Sequence, residues 1–122
     1  MLVTISGGQN GWTTADVDSL DRGTDVGAIN YAIDYIRCKF PKCQIVLVPT
    51  YIGNGDHISF SDYKKISENK NVPLADTYNL KLIDWERDKS EQILRYDNVH
   101  LTGYGASRMA AVVRETIRPL IF

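Results

Sequence analysis

Asp97-Asn98-Val99-His100 sets a carboxylate three residues ahead of an imidazole. Within one turn the Asp can bend back and accept the His Nδ1–H. That bond fixes the tautomer and leaves Nε2 to take a proton from a nucleophile. The plainer reading of Asp97 to Gly105 is a loop leading into a helix, with Thr102 as cap and Gly103 and Gly105 easing the turn. Gly8-Gln9-Asn10 is a second candidate, and its plainer reading is a glycine turn in which Asn10 bonds its own backbone. His57 reads as a loop histidine, and with His100 it lacks the close spacing that a metal pair needs. Cys38 and Cys43 flank a short turn and read as reduced thiols, since two cysteines make no disulfide framework.

The elements that must hold these residues follow from hydrophobic spacing. Leu2 to Ser6 is a short β-prone run that stops at Gly7-Gly8, and it reads as a buried strand. Gly8 and Asn10 then lie at its C-terminal end, where parallel α/β sheets place their ligands. Residues 13–23 are polar and read as a surface loop. Val26, Ile29, Ile33, Ile36 and Phe40 recur at spacings of three and four, which predicts a helix from Asp25 to Lys39, ended by Pro41. Gln44 to Pro49 holds the continuous run Ile45-Val46-Leu47-Val48, expected of a parallel strand covered on both faces. Strand, helix and strand at this spacing make a right-handed βαβ unit.

Beyond it, Tyr51 to Ser61 is rich in Gly, Asn and Asp and reads as a loop, followed by a polar helix over Ser61 to Glu68. Val72 to Tyr78 reads as a further strand, with Pro73 at its entry or on a sheet edge. Residues 79–96 resolve only into loop and short helix, with Trp85 as a packing residue. The closing helix, Gly103 to Arg118, sets Ala106, Met109, Ala110, Val113 and Ile117 on one face, as a core stripe rather than a cofactor box.

A chain of 122 residues is expected to make one domain, residues 1–122, burying roughly two-thirds of its unfolded surface. The net charge of −1, with the two signs mixed, argues against nucleic acid or an anionic membrane as partner. No apolar run spans a bilayer and no secretory leader is evident, so the expected location is cytoplasmic.

The longer string Asp97-x-x-His100-Leu101-Thr102-x-x-Gly105, ahead of a terminal helix, resembles the last conserved block of the SGNH (GDSL-type) esterases and lipases. Gly8-x-Asn10 after a strand resembles that family's Gly-x-Asn block, although Gly11 stands where the family has Asp. Ile83-Asp84-Trp85 ahead of the last block is similar to some members too. The resemblance implies a three-layer α/β/α, flavodoxin-like parallel sheet and a Ser-His-Asp esterase mechanism without cofactor or metal. In that mechanism Asp97 orients His100, and Gly8 and Asn10 form the oxyanion hole for a small ester substrate.

The family's opening strand, ending in the Gly-Asp-Ser nucleophile, has no counterpart here, and neither has its second oxyanion glycine block. Gly55-Asp56 is followed by His57 rather than Ser and comes after the wrong strand. Ser6 is the serine nearest the proposed site, and it is a strand residue. The chain thus reads as the C-terminal part of such a fold, N-terminally truncated and inactive alone. Residues 2–6 would then be an unpaired apolar edge, expected to pair with a completing chain or in a homo-oligomer, most simply a symmetric dimer. The competing reading is a non-catalytic remnant or interaction protein that keeps the half-fold, since one fold hosts many functions.

Overall fold

A computed structural model describes residues 1–8, 11–50, 57–78, 88, 91–97 and 100–121, with backbone alone at 57 and 58. Among these residues it is a mixed α/β structure with a two-stranded parallel sheet and three long helices. The elements are β1 (Leu2–Gly7), α1 (Asp25–Lys39), β2 (Gln44–Pro49), α2 (His57–Lys70) and α3 (Gly103–Ile121). β1 pairs with β2 from Leu2 opposite Gln44 to Gly7 opposite Pro49. On the other side of β2, the Leu47 N–H donates to Pro73 O and the Ala75 N–H to Leu47 O, a single parallel bridge at Leu74. The run predicted as a strand over 72–78 is therefore extended chain with one bridge. Pro73 has no N–H to donate, and Thr77 turns its hydroxyl onto the Pro49 carbonyl instead.

β2 is the centre of the molecule. Its alternate side chains serve two faces, as the period of two requires. Ile45 and Leu47 join Val26, Ile29 and Ile33 of α1 and Tyr63 and Ile66 of α2. Val46 and Val48 face Met109, Val112, Val113, Ile117 and Leu120 of α3. β1, expected to be buried, is only half covered, and Thr4 and Ser6 are exposed. Among the described residues no further strand pairs with its outer edge.

α1 begins where the Thr24 hydroxyl accepts the Gly27 N–H at 3.0 Å, which satisfies one of the amides a helix start leaves unpaired. A β-carbon on Gly27 would lie 2.0 Å from the Asp21 carbonyl oxygen, so only glycine lets the preceding turn fold onto the helix. The stripe ends one position early: Phe40 is the C-cap, its N–H on Ile36 O, and its ring is half exposed. α2 is longer than predicted, and it starts at His57 within the expected loop. Its apolar contacts, Tyr63 and Ile66, are too few to show as a stripe in the sequence.

The loop between β1 and α1 is tied to this framework by side chains. The Asn30 amide, fully buried, donates to the Val17 and Ser19 carbonyls at 2.8 and 2.9 Å. Cys38 and Cys43 are free thiols. No helix among the described residues is long and apolar enough to cross a membrane.

Candidate functional site

The segments that carry Asp97 and His100 are clamped together at their base. Arg95 and Leu101 form an antiparallel bridge, and the Tyr96 N–H reaches the His100 carbonyl at 3.1 Å. One step further down, Thr102 gives its N–H to Leu94 O at 2.8 Å and its hydroxyl to Ile93 O at 2.6 Å. The same hydroxyl oxygen accepts the Gly105 N–H at 3.0 Å, so Thr102 caps α3 and ties the two segments at once. Gly105 is buried, and a β-carbon on it would stand 2.1 Å from the Leu94 carbonyl oxygen. The Thr-x-x-Gly spacing thus seats residues 93–95 directly on the first turn of α3.

A buried ion pair holds the other arm. Asp88 accepts the Leu94 N–H at 2.5 Å through one oxygen and Arg95 Nε at 2.7 Å through the other. Both side chains are wholly out of contact with water. A charge so placed is tolerable only when paired and hydrogen-bonded, which makes this pair a rigid foot for the loop.

At the tip, one Asp97 oxygen accepts the His100 backbone N–H at 2.6 Å and the other meets His100 Nδ1 at 2.6 Å. The carboxylate therefore fixes both the main chain and the ring of the same residue. An ionised Asp97 keeps the proton on Nδ1, so a neutral His100 presents a bare Nε2 lone pair. Tyr96 lies nearly parallel to the imidazole, at 5.9 Å between centroids and 19° between planes. The His100 side chain is 64% exposed and that of Asp97 42%. An oriented base so open to water stays screened and lacks the dry wall that strengthens charge interactions in a reaction site.

Gly8 belongs to a second, separately built unit. Its φ of +102° is a conformation that favours glycine. A β-carbon there would also meet Trp12 Cε3 at 2.7 Å. Trp12 is fixed over Gly8 by α2: its indole N–H donates to Asp62 at 2.8 Å, beside the Thr14 hydroxyl at 2.6 Å, and its ring leans on Tyr63 at 5.2 Å. Tyr63 donates its hydroxyl to Gly7 O at 3.2 Å. Burial raises the Tyr63 pKa, with the nearby Asp25 charge adding to the shift.

Of the residues singled out from sequence, Asp97 and His100 are in contact, and Gly8 lies apart from them at the end of β1, with a positive φ. Asn10, Trp85 and the Ile83-Asp84-Trp85 string lie outside the described residues, as do Gly55 and Asp56. Among the described residues no three His, Cys, Asp or Glu side chains gather as a metal site. Sequence reasoning missed Asp88, Arg95, Trp12 and Asp62. Each works through a partner that the fold supplies, and Trp12 and Asp62 lie 50 residues apart.

No family model matches the chain, and no curated protein matches it. A protein of known crystal structure superposes with a TM-score of 0.75 at 16% identity, covering 98% of this chain and 64% of that one. The chain therefore spans a little under two-thirds of the length of that structure. At this identity the likeness is one of fold alone.

Proposed function

We propose that the chain is the C-terminal portion of an SGNH (GDSL-type) esterase-like hydrolase, with its sheet belonging to a three-layer, flavodoxin-like domain. In this reading a serine from outside these residues attacks the ester carbonyl. His100 Nε2 takes the hydroxyl proton and returns it to the leaving alcohol, while Asp97 holds the ring and stabilises the imidazolium. The Gly8 N–H and the Asn10 side chain stabilise the tetrahedral oxyanion. The partner segment carrying the serine pairs along residues 2–6 and supplies the dry wall that His100 lacks.

The observation that carries this reading is the double grip of Asp97 on His100, which fixes the tautomer a general base needs. The parallel pairing of β1 with β2, with helices packed on both faces of β2, is the local arrangement such a domain needs. The test is to fuse or co-express a family N-terminal segment bearing the first strand and Gly-Asp-Ser. The complex is expected to gain ester hydrolysis, and Asn10→Ala is expected to lose on the order of a hundredfold, as for one oxyanion donor. A well-folded complex that stays inert would overturn the assignment.

The exposure of His100 favours one second reading, a non-catalytic interaction protein that keeps the half-fold. In that case the completed complex folds, gains stability and hydrolyses nothing.

A further inference from the structure

Three residues of α2 converge on the C-terminal end of β1. Ser59, Asp62 and Tyr63 stand at helical spacings of three and four, side by side on one face. Tyr63 donates its hydroxyl to the Gly7 carbonyl at 3.2 Å. The Ser59 β-carbon lies 3.4 Å from where a β-carbon on Gly8 would be. Asp62 works at one remove. A single carboxylate oxygen accepts the Trp12 indole N–H at 2.8 Å and the Thr14 hydroxyl at 2.6 Å.

The sheet itself gives this end little support. Gly7 stands opposite Pro49, which brings no N–H to the ladder. Gly8 at φ +102° and Gly11 at φ +130° both hold conformations that side-chain-bearing residues rarely adopt. Glycine loses more conformational freedom on ordering than any other residue. A fixed direction for the Gly8 N–H therefore needs contacts from outside the strand.

Trp12 supplies them. Its Cε3 and Cζ3 stand 2.7 and 3.1 Å from where a Gly8 β-carbon would lie, and its ring leans on Tyr63 at 38°. Packing of this kind leaves a flat ring free to slide. The bond from Nε1 to Asp62 pins it. Asp62 is only 6% exposed, so water competes weakly for that bond. Gly8 and Trp12, on either side of Asn10 in the chain, are thereby tied to the same helix.

The geometry points to Asp62 as a positioning residue that holds the Gly8 N–H in place through Trp12. This rests on the proposal above that Gly8 is an oxyanion donor. Such a donor stabilises a developing charge without reorganisation only when its direction is set before the reaction begins. α2 sets that direction from this chain alone, before a partner or a substrate arrives.

The test begins with the full chain in isolation, by ¹⁵N relaxation at the Gly8 amide. The order parameter is expected near about 0.85 in the wild type and below about 0.6 in Asp62→Leu, the rigid and mobile limits for backbone. Asp62→Asn keeps an oxygen for the indole N–H and is expected to restore the wild-type value. Trp12→Phe keeps a ring without the N–H and is expected to loosen Gly8 as well. Ser67→Ala frees the far end of α2 from the Val72 carbonyl and is expected to leave Gly8 rigid. In the completed complex, Asp62→Leu is expected to lower kcat about tenfold with little change in KM, short of the hundredfold for a donor lost outright. A Gly8 amide that stays rigid in Asp62→Leu and Trp12→Phe would overturn the proposal. So would an active complex whose kcat ignores Asp62→Leu, or one that loses as much to Ser67→Ala. A complex that is inert with wild-type Asp62 would instead overturn the hydrolase reading, while the relaxation data on the isolated chain still decide whether Asp62 holds Gly8.

Discussion

The carbonyl oxygen of Leu94 lies where the β-carbon of residue 105 would be if that residue were anything but glycine, at 2.1 Å. This contact locks the arm bearing Asp97 and His100 to the helix behind it. Gly105→Ala must push residues 93–95 off α3. It is expected to cost about 1–3 kcal/mol, the usual range for overpacking, measured by urea unfolding. The mutant is also expected to lose the bond between Asp97 and His100 Nδ1, read from the imidazole ¹⁵N shifts. A mutant of full stability with unchanged ring shifts would mean that the loop does not need this seat.

The Asp88–Arg95 pair gives a second, separable expectation. Asp88→Ala removes the buried carboxylate that accepts both the Leu94 N–H and Arg95 Nε–H, and is expected to cost about 3–5 kcal/mol. Replacing both residues with apolar groups of similar volume is expected to recover most of that loss, because the desolvation of both charges disappears. The pair of unfolding measurements checks this. Equal loss in the single and double variants would assign the stability to shape rather than charge.

Tyr63 is expected to make the fold less stable at alkaline pH. Its pKa is raised in the folded state by burial, so the unfolded chain loses the phenolic proton first. Above the ordinary tyrosine value of about 10 the unfolded state binds fewer protons, and stability falls as pH rises. Tyr63→Phe gives up the bond to Gly7 O, and is expected to be less stable at neutral pH but to have a shallower decline above pH 10. Parallel pH profiles for the two proteins would contradict this.

The periodic parts of the structure were legible in the chain. Val26 to Ile36 announced α1 and Ile45 to Val48 announced β2, because each buries side chains at its element's own period. The start of α2 was not legible, since its core contacts rest on Tyr63 and Ile66 while the rest of the helix is polar. Nor was the half-exposed state of β1, because coverage of a strand depends on its neighbours rather than its own residues. At the site, Asp97 with His100 and Thr102 with Gly105 are pairs three residues apart, so spacing alone suggests each contact. Trp12 over Gly8 and Asp88 beneath Arg95 depend on the path of the backbone, and no local pattern announces them.

Gly8, the candidate oxyanion donor, is covered by Trp12. Gly8→Ala combines an unfavourable positive φ with a collision against the indole. It is expected to lower stability by about 1–3 kcal/mol, with quenching or a spectral shift of tryptophan fluorescence as the ring is displaced. A native spectrum in a stable Gly8→Ala protein would show that the indole does not depend on this contact.

The central claim is that His100, oriented by Asp97, is a general base waiting for a serine. The most direct measurement is the rate at which a fluorophosphonate modifies the serine of the completed complex, read by intact mass. Rapid single labelling is expected with wild-type His100. A drop on the order of a thousandfold or more is expected with His100→Ala, since a serine without its base is only weakly nucleophilic. The isolated chain is expected to show no labelling, and no hydrolysis of p-nitrophenyl acetate above its own His100→Ala variant. Labelling at the same rate in the His100→Ala complex, or none in a folded wild-type complex, would contradict the claim.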